Sequence, residues 1–168
     1  MKSIWLCIAL LATSLLAACG GGGSSVQPMP TPNKTATLSF KTMSSAHSAP
    51  LQAVQMTVNL PKGATITNIA NAITGGIAGQ LDSGSLSYIA GDPFNTVSFS
   101  VIGGAIKLGA VIANVKCDLA AGSALTANSF DAANKPTFPL LKMSGLDTGG
   151  SSVNLVPQIN VTMAVELQ

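Results

Sequence analysis

In the stretch 52–60, residues 54–60 alternate without interruption. Val54, Met56, Val58 and Leu60 fall on one side, and Gln55, Thr57 and Asn59 on the other. A repeat of two is the signature of a strand with one buried and one wet face, and a slip of one residue would exchange the faces. Such a strand needs a second apolar layer to cover it, which restricts the chain to layered β-architectures or to helices packed on a sheet. Pro61-Lys62-Gly63 ends the run, because proline cannot donate to a ladder and glycine permits a turn.

The same signal recurs along the chain. Residues 35–40 read as a first strand, 64–69 as a short one, and 86–90 as another, closed by the turn Gly91-Asp92-Pro93. In residues 95–101, Val97, Phe99 and Val101 share a face. In residues 109–119, Val111, Ala113, Val115 and Cys117 do so, which makes Cys117 a core residue. Residues 153–167 read as one long terminal strand with Ile159, Val161, Met163, Val165 and Leu167 on one face and Pro157 marking an edge or bulge. Residues 70–85 are glycine-rich, with Ile73, Ile77 and Leu81 spaced by four as in a short helix. A helical turn is expected near Ser129 and Asp131, and residues 136–150 read as a long loop. Short strands punctuated by Gly and Pro, with no long amphipathic helix, specify an all-β antiparallel sandwich or jelly roll.

The N-terminus carries a different message. Lys2 precedes an apolar run over residues 4–16, too short for the ~20 residues of a membrane-spanning helix, and small residues Ala17 and Ala18 lead to Cys19. Leu16-Ala17-Ala18-Cys19 resembles the lipobox of bacterial lipoproteins. The resemblance implies cleavage before Cys19, lipidation of its thiol and anchoring in a membrane by two or more acyl chains, enough for stable attachment. Gly20 in place of Asp implies the outer membrane in enteric-type sorting, so the expected location is the cell envelope. The expected organisation is a signal peptide over 1–18, a Gly/Ser/Pro-rich tether over 19–34 with Pro28, Pro30 and Pro32 alternating, and a β-sandwich domain over 35–168.

Within that domain, the strand at Val54 to Leu60, the turn Pro61-Lys62-Gly63 and the short strand at Ala64-Thr65-Ile66 resemble the early part of cohesin-type domains. A later pair at 95–101 and 109–119 and a long closing strand follow in the same order. The resemblance implies a jelly roll related to carbohydrate-binding modules, with one sheet face that binds a protein partner through polar contacts. It transfers no individual binding residue.

Catalytic chemistry finds little material. His47 is the sole histidine and no G-x-S-x-G elbow accompanies it, so no residue is expected to serve catalysis, a cofactor or a metal. Asp82, Asp92 and Asp147 sit in Gly-flanked turns that explain them as turn formers, with a structural calcium ion as the alternative use. After Cys19 there are seven lysines against six carboxylates and no arginine, which argues against nucleic acid as a partner. Trp5 lies in the signal segment, leaving Tyr88 and the phenylalanines. Of these, Phe40, Phe99 and Phe130 read as core, and Phe94 and Phe138 as candidate exposed loop aromatics. Cys117 has no second cysteine in the domain for a disulfide. The expectation is a non-enzymatic lipoprotein that binds a protein or glycan at the envelope. The alternatives are a structural component of an envelope assembly and, last, an enzyme.

Overall fold

The structure is a computed structural model, and it describes residues 35–44, 50–76, 80–103, 105–156 and 158–168. The chain in this region forms an all-β sandwich of two antiparallel sheets. The five-stranded sheet runs β11 (Ile159–Leu167), β1 (Thr35–Ser44), β8 (Val111–Leu119), with the short β3 (Ala64–Thr65) and β4 (Ile73–Gly75) both on β8. The six-stranded sheet runs β10 (Ser152–Asn154), β9 (Leu140–Leu146), β2 (Leu51–Pro61), β7 (Phe94–Ile102), with β5 (Gln80–Leu81) and β6 (Ser87–Ile89) both on β7. Among the described residues two α-helices, α1 (Ile69–Ala72) and α2 (Ala127–Asn134), and a single 3-10 turn over Ser83–Ser85 complete the fold.

The alternation read from residues 54–60 is reproduced side chain by side chain. Val54, Met56, Val58 and Leu60 are buried, and Val97, Phe99 and Val101 lie opposite them from β7 through the pairs Val54↔Val101, Met56↔Phe99 and Val58↔Val97. From the other sheet Ala36, Leu38 and Phe40 meet them, so the core is the contact between two inward faces. Phe40 is its centre, 5.7 Å from the Phe99 ring and 5.9 Å edge-on from Phe138. Gly63, at a φ of +98°, supplies the left-handed residue of the turn from β2 to β3.

Four local expectations are corrected. Residues 64–69 form a strand only over Ala64–Thr65. Asn68 then accepts hydrogen bonds from the N–H groups of Ala70 (3.1 Å) and Asn71 (3.4 Å) and starts α1. In β8 the register against β1 shifts between Phe40 and Lys41, from Phe40↔Ala113 to Lys41↔Val111. Ile112 is the extra residue of this bulge and is fully buried, while Val111 is only half-buried. Residues 136–150 are not one loop, because they contain β9, the neighbour of β2. Residues 153–167 are not one strand: β10 belongs to the six-stranded sheet and β11 to the five-stranded one.

Helix α2 begins where Ser129 Oγ accepts the N–H of Thr126 at 3.2 Å, half of a capping box. It ends on Asn134, whose carboxamide oxygen accepts the N–H of Asn59 at 2.8 Å and whose amide nitrogen donates to the carbonyl of Asn59 at 2.8 Å. β9 pairs with β2 only as far as Thr57↔Leu140. Beyond that point the Asn134 side chain takes the place of a strand neighbour.

Candidate functional site

The outer face of the six-stranded sheet is set by residues whose neighbours in sequence are in the core. On β2 these are Ala53, Gln55 and Thr57; on β7 they are Ser98, Ser100 and Ile102; on β9 they are Lys142 and Ser144. Register places them in rows. Gln55 lies between Ser100 and Lys142, Ala53 between Ile102 and Ser144, and Asn154 of β10 beside Ser144. Thr57 and Ser98 join their hydroxyls across the strands at 2.7 Å.

A groove of about 770 Å³ crosses this face, lined by Gln55, Asp82, Ser100, Lys142, Ser144, Ser152 and Asn154, with Ala53 and Ile102 among its apolar members. Asp82 is held at its rim by a turn fastened to β7. The Asp82 N–H donates to the Ser100 carbonyl (2.9 Å), and Ser85 Oγ donates to the Asp82 carbonyl (2.8 Å) while accepting from the Ser100 N–H (2.7 Å). Asn154 Oδ1 accepts the N–H of Val156 at 3.1 Å, which fixes that side chain near the end of β10. Lys142 and Asp82 are the groove's only charged residues, and they form no ion pair with each other. No aromatic side chain lines it.

The groove therefore offers hydroxyl and carboxamide groups in a strand-spaced grid. Such a surface can exchange many neutral hydrogen bonds with an occupant and has no stacking platform for a sugar ring.

The remaining carboxylates are dispersed. Asp118 accepts from Thr67 Oγ1 at 2.7 Å and shares a shallow pocket of about 170 Å³ with Lys116, Asn68 and Asn71. Asp147 accepts the N–H groups of Gly149 (2.9 Å) and Ser151 (2.8 Å), and Asp82 accepts that of Gly84 (3.1 Å). Both are turn formers of the kind read from the sequence. Asp92 is exposed in the turn before β7. Among the described residues no three His, Cys, Asp or Glu side chains come together, and Asp82 and Asp118 line different depressions. His47, Cys19 and the whole of 1–34 lie outside the described residues.

The two candidate loop aromatics have other roles. Phe94 is the first residue of β7, paired with Pro61 and half-buried, and Phe138 packs against Phe40. Cys117 is 1% exposed and donates weakly to the Ala36 carbonyl at 3.6 Å. Burial, reinforced by the neighbouring Asp118 carboxylate, pushes its thiol up to about 12. A second cleft, of about 510 Å³, runs between the segment joining α2 to β9 and the first half of β11. Phe138, Leu141, Val156, Val161 and Met163 line it, with the Asp131–Lys135 ion pair (3.1 Å) at its rim. Neither depression was visible in the sequence, because each is assembled from strands distant in the chain.

Among the described residues no helix is long and apolar enough to cross a membrane. Comparison with known proteins returns no matching family model, no matching curated protein and no matching solved structure.

Proposed function

We propose that this chain is a lipid-anchored protein of the bacterial cell envelope whose β-sandwich binds a protein partner, without catalysis, across the outer face of the six-stranded sheet. The groove over Gln55, Ser100, Lys142 and Ser144 carries this reading: it is wide, mixes polar and apolar side chains in equal number, and holds only two charged ones. A ligand held there is recognised by neutral hydrogen bonds, and the lack of an aromatic lining favours a polypeptide over a glycan. The resemblance of Leu16-Ala17-Ala18-Cys19 to a lipobox supports the anchor, and the resemblance to cohesin-type domains supports binding by a sheet face. Among the described residues four large apolar side chains are exposed, Met43, Ile89, Ile102 and Leu146, and they are spread over β1, β6, β7 and β9. That scatter gives a structural envelope component less support than a binding module.

Site-specific photocrosslinking in the native host tests this. A photoreactive residue at Gln55 or Ser144 of the full chain is expected to capture one discrete protein band, and the same residue at Lys116, on the other sheet, is not. Equal capture from both sheets, or from neither, would overturn the assignment. Capture that vanishes after glycosidase treatment would move the ligand class to glycans.

A further inference from the structure

The outer strands of the two sheets are unequal. β3, β4, β5, β6 and β10 are two or three residues long, whereas β11 runs for nine. Short edges are one of the usual defences against strand addition, and β11 lacks it. It pairs with β1 on one side and, among the described residues, with no strand on the other.

The phase of that pairing decides which backbone groups are open. Thr35 and Gln168 exchange both backbone hydrogen bonds, at 3.0 and 2.9 Å. Counting back in twos, Glu166, Ala164 and Thr162 also turn their N–H and C=O groups toward β1. Val161, Met163, Val165 and Leu167 turn theirs to the open side, where they make no hydrogen bond to any described residue. The same four side chains are half-buried on the inner face.

The open side has two unlike halves. The cleft lined by Phe138, Leu141 and Val156 flanks Val161 and Met163, while Val165 and Leu167 lie beyond it. Only an extended strand can meet the unpaired backbone, and an antiparallel copy of β11 meets the rest as well. It brings the Val165–Leu167 end of one molecule to the cleft of the other.

We propose that β11 is a self-association edge, with two copies of this chain pairing β11 antiparallel about a two-fold axis at Ala164. In this register Met163 bonds Val165 of the second copy and Val161 bonds Leu167, so apolar side chains enter both clefts. On the outer face Ala164 meets its own counterpart and Glu166 meets Thr162. Moving the axis to Glu166 would set two carboxylates opposite each other, which disfavours that register. The clefts lie near opposite ends of the paired strands, so each receives a strand end of the second copy.

The test uses the full chain with Ala164→Cys. Directly opposed residues at a position that makes no hydrogen bonds across the pair bring their Cα atoms to about 4.5 Å, within disulfide reach. Mild oxidation followed by a non-reducing gel is expected to convert most of the protein to a covalent dimer, above the background set by the wild-type chain. Cys117 is too buried to contribute. Glu166→Cys alone is expected to give little dimer, and Thr162→Cys with Glu166→Cys together are expected to restore it. Adding Val165→Pro to Ala164→Cys removes an N–H that β1 does not use, and is expected to cut the dimer at least tenfold with the circular dichroism unchanged. No dimer from either Ala164→Cys or the Thr162/Glu166 pair would overturn the proposal. So would equal dimer from Lys142→Cys on the opposite sheet.

Discussion

The side chain of Asn134 completes the hydrogen bonding of Asn59 as a strand would. Its oxygen takes the Asn59 N–H and its nitrogen gives to the Asn59 carbonyl, both at 2.8 Å, with a further bond to the Phe130 carbonyl at 2.9 Å. Asn59 returns the contact through its own amide to the Ala133 carbonyl at 2.9 Å. Because Asn134 is only 5% exposed, water cannot replace what a substitution removes. Asn134→Ala is expected to cost about 2–3 kcal/mol, and Asn59→Ala about 1 kcal/mol, in the free energy read from urea denaturation. Equal losses for the two would show that Asn134 does not cap the edge of β2.

Gly145 sits on β9 between Leu51 of β2 and Val153 of β10. A Cβ there would fall on the Pro50 carbonyl oxygen and on Leu155 Cδ1 at 2.9 Å. Gly145→Ala is expected to destabilise the domain by about 1–3 kcal/mol, as overpacking does, despite the gain in strand propensity. A thermal melt unchanged from wild type would contradict the close approach.

Cys117 is expected to be inert in the folded chain. At pH 8 a soluble thiol reagent should label it only on unfolding, since burial keeps the thiol protonated. The same burial links stability to alkaline pH. The unfolded thiol ionises near 9.0 and the folded one near 12, so between these values the unfolded state binds fewer protons and stability falls as pH rises. Below about pH 9 the contribution is intact. The urea midpoint of the wild type is expected to drop faster from pH 8.5 to 10.5 than that of Cys117→Val, and parallel curves would exclude the linkage.

Cys19→Ala is expected to yield a full-length precursor that takes up no radiolabelled palmitate and leaves the membrane fraction. Labelling at the wild-type level would show that the anchor lies elsewhere.

How far the sequence exposed this fold depended on whether burial followed a period of two. β2 and β7 are central, with one clean inner face each, and their alternation marked them out. β9 escaped notice because its period is disguised. Leu140 and Leu146 face outward, Gly145 occupies an inward place, and Pro139 and Gly149 bracket the segment. The end of the chain misled for the opposite reason: Leu155, Val156 and Ile159 carry the apolar pattern onward although β10 and β11 belong to different sheets. The groove was half legible. Gln55 and Ser100 were plain from the alternation, but which residues share a row depends on pairing between strands dozens of residues apart.

The reciprocal bonds between Thr35 and Gln168 make the domain a ring in all but covalent terms. A linker of a few residues would span the two ends, and the tight turn at Asp147, whose carboxylate gathers Gly149 and Ser151, offers a place to reopen the chain. A protein rearranged in this way would carry the same two sheets with its ends moved to the far side of β9.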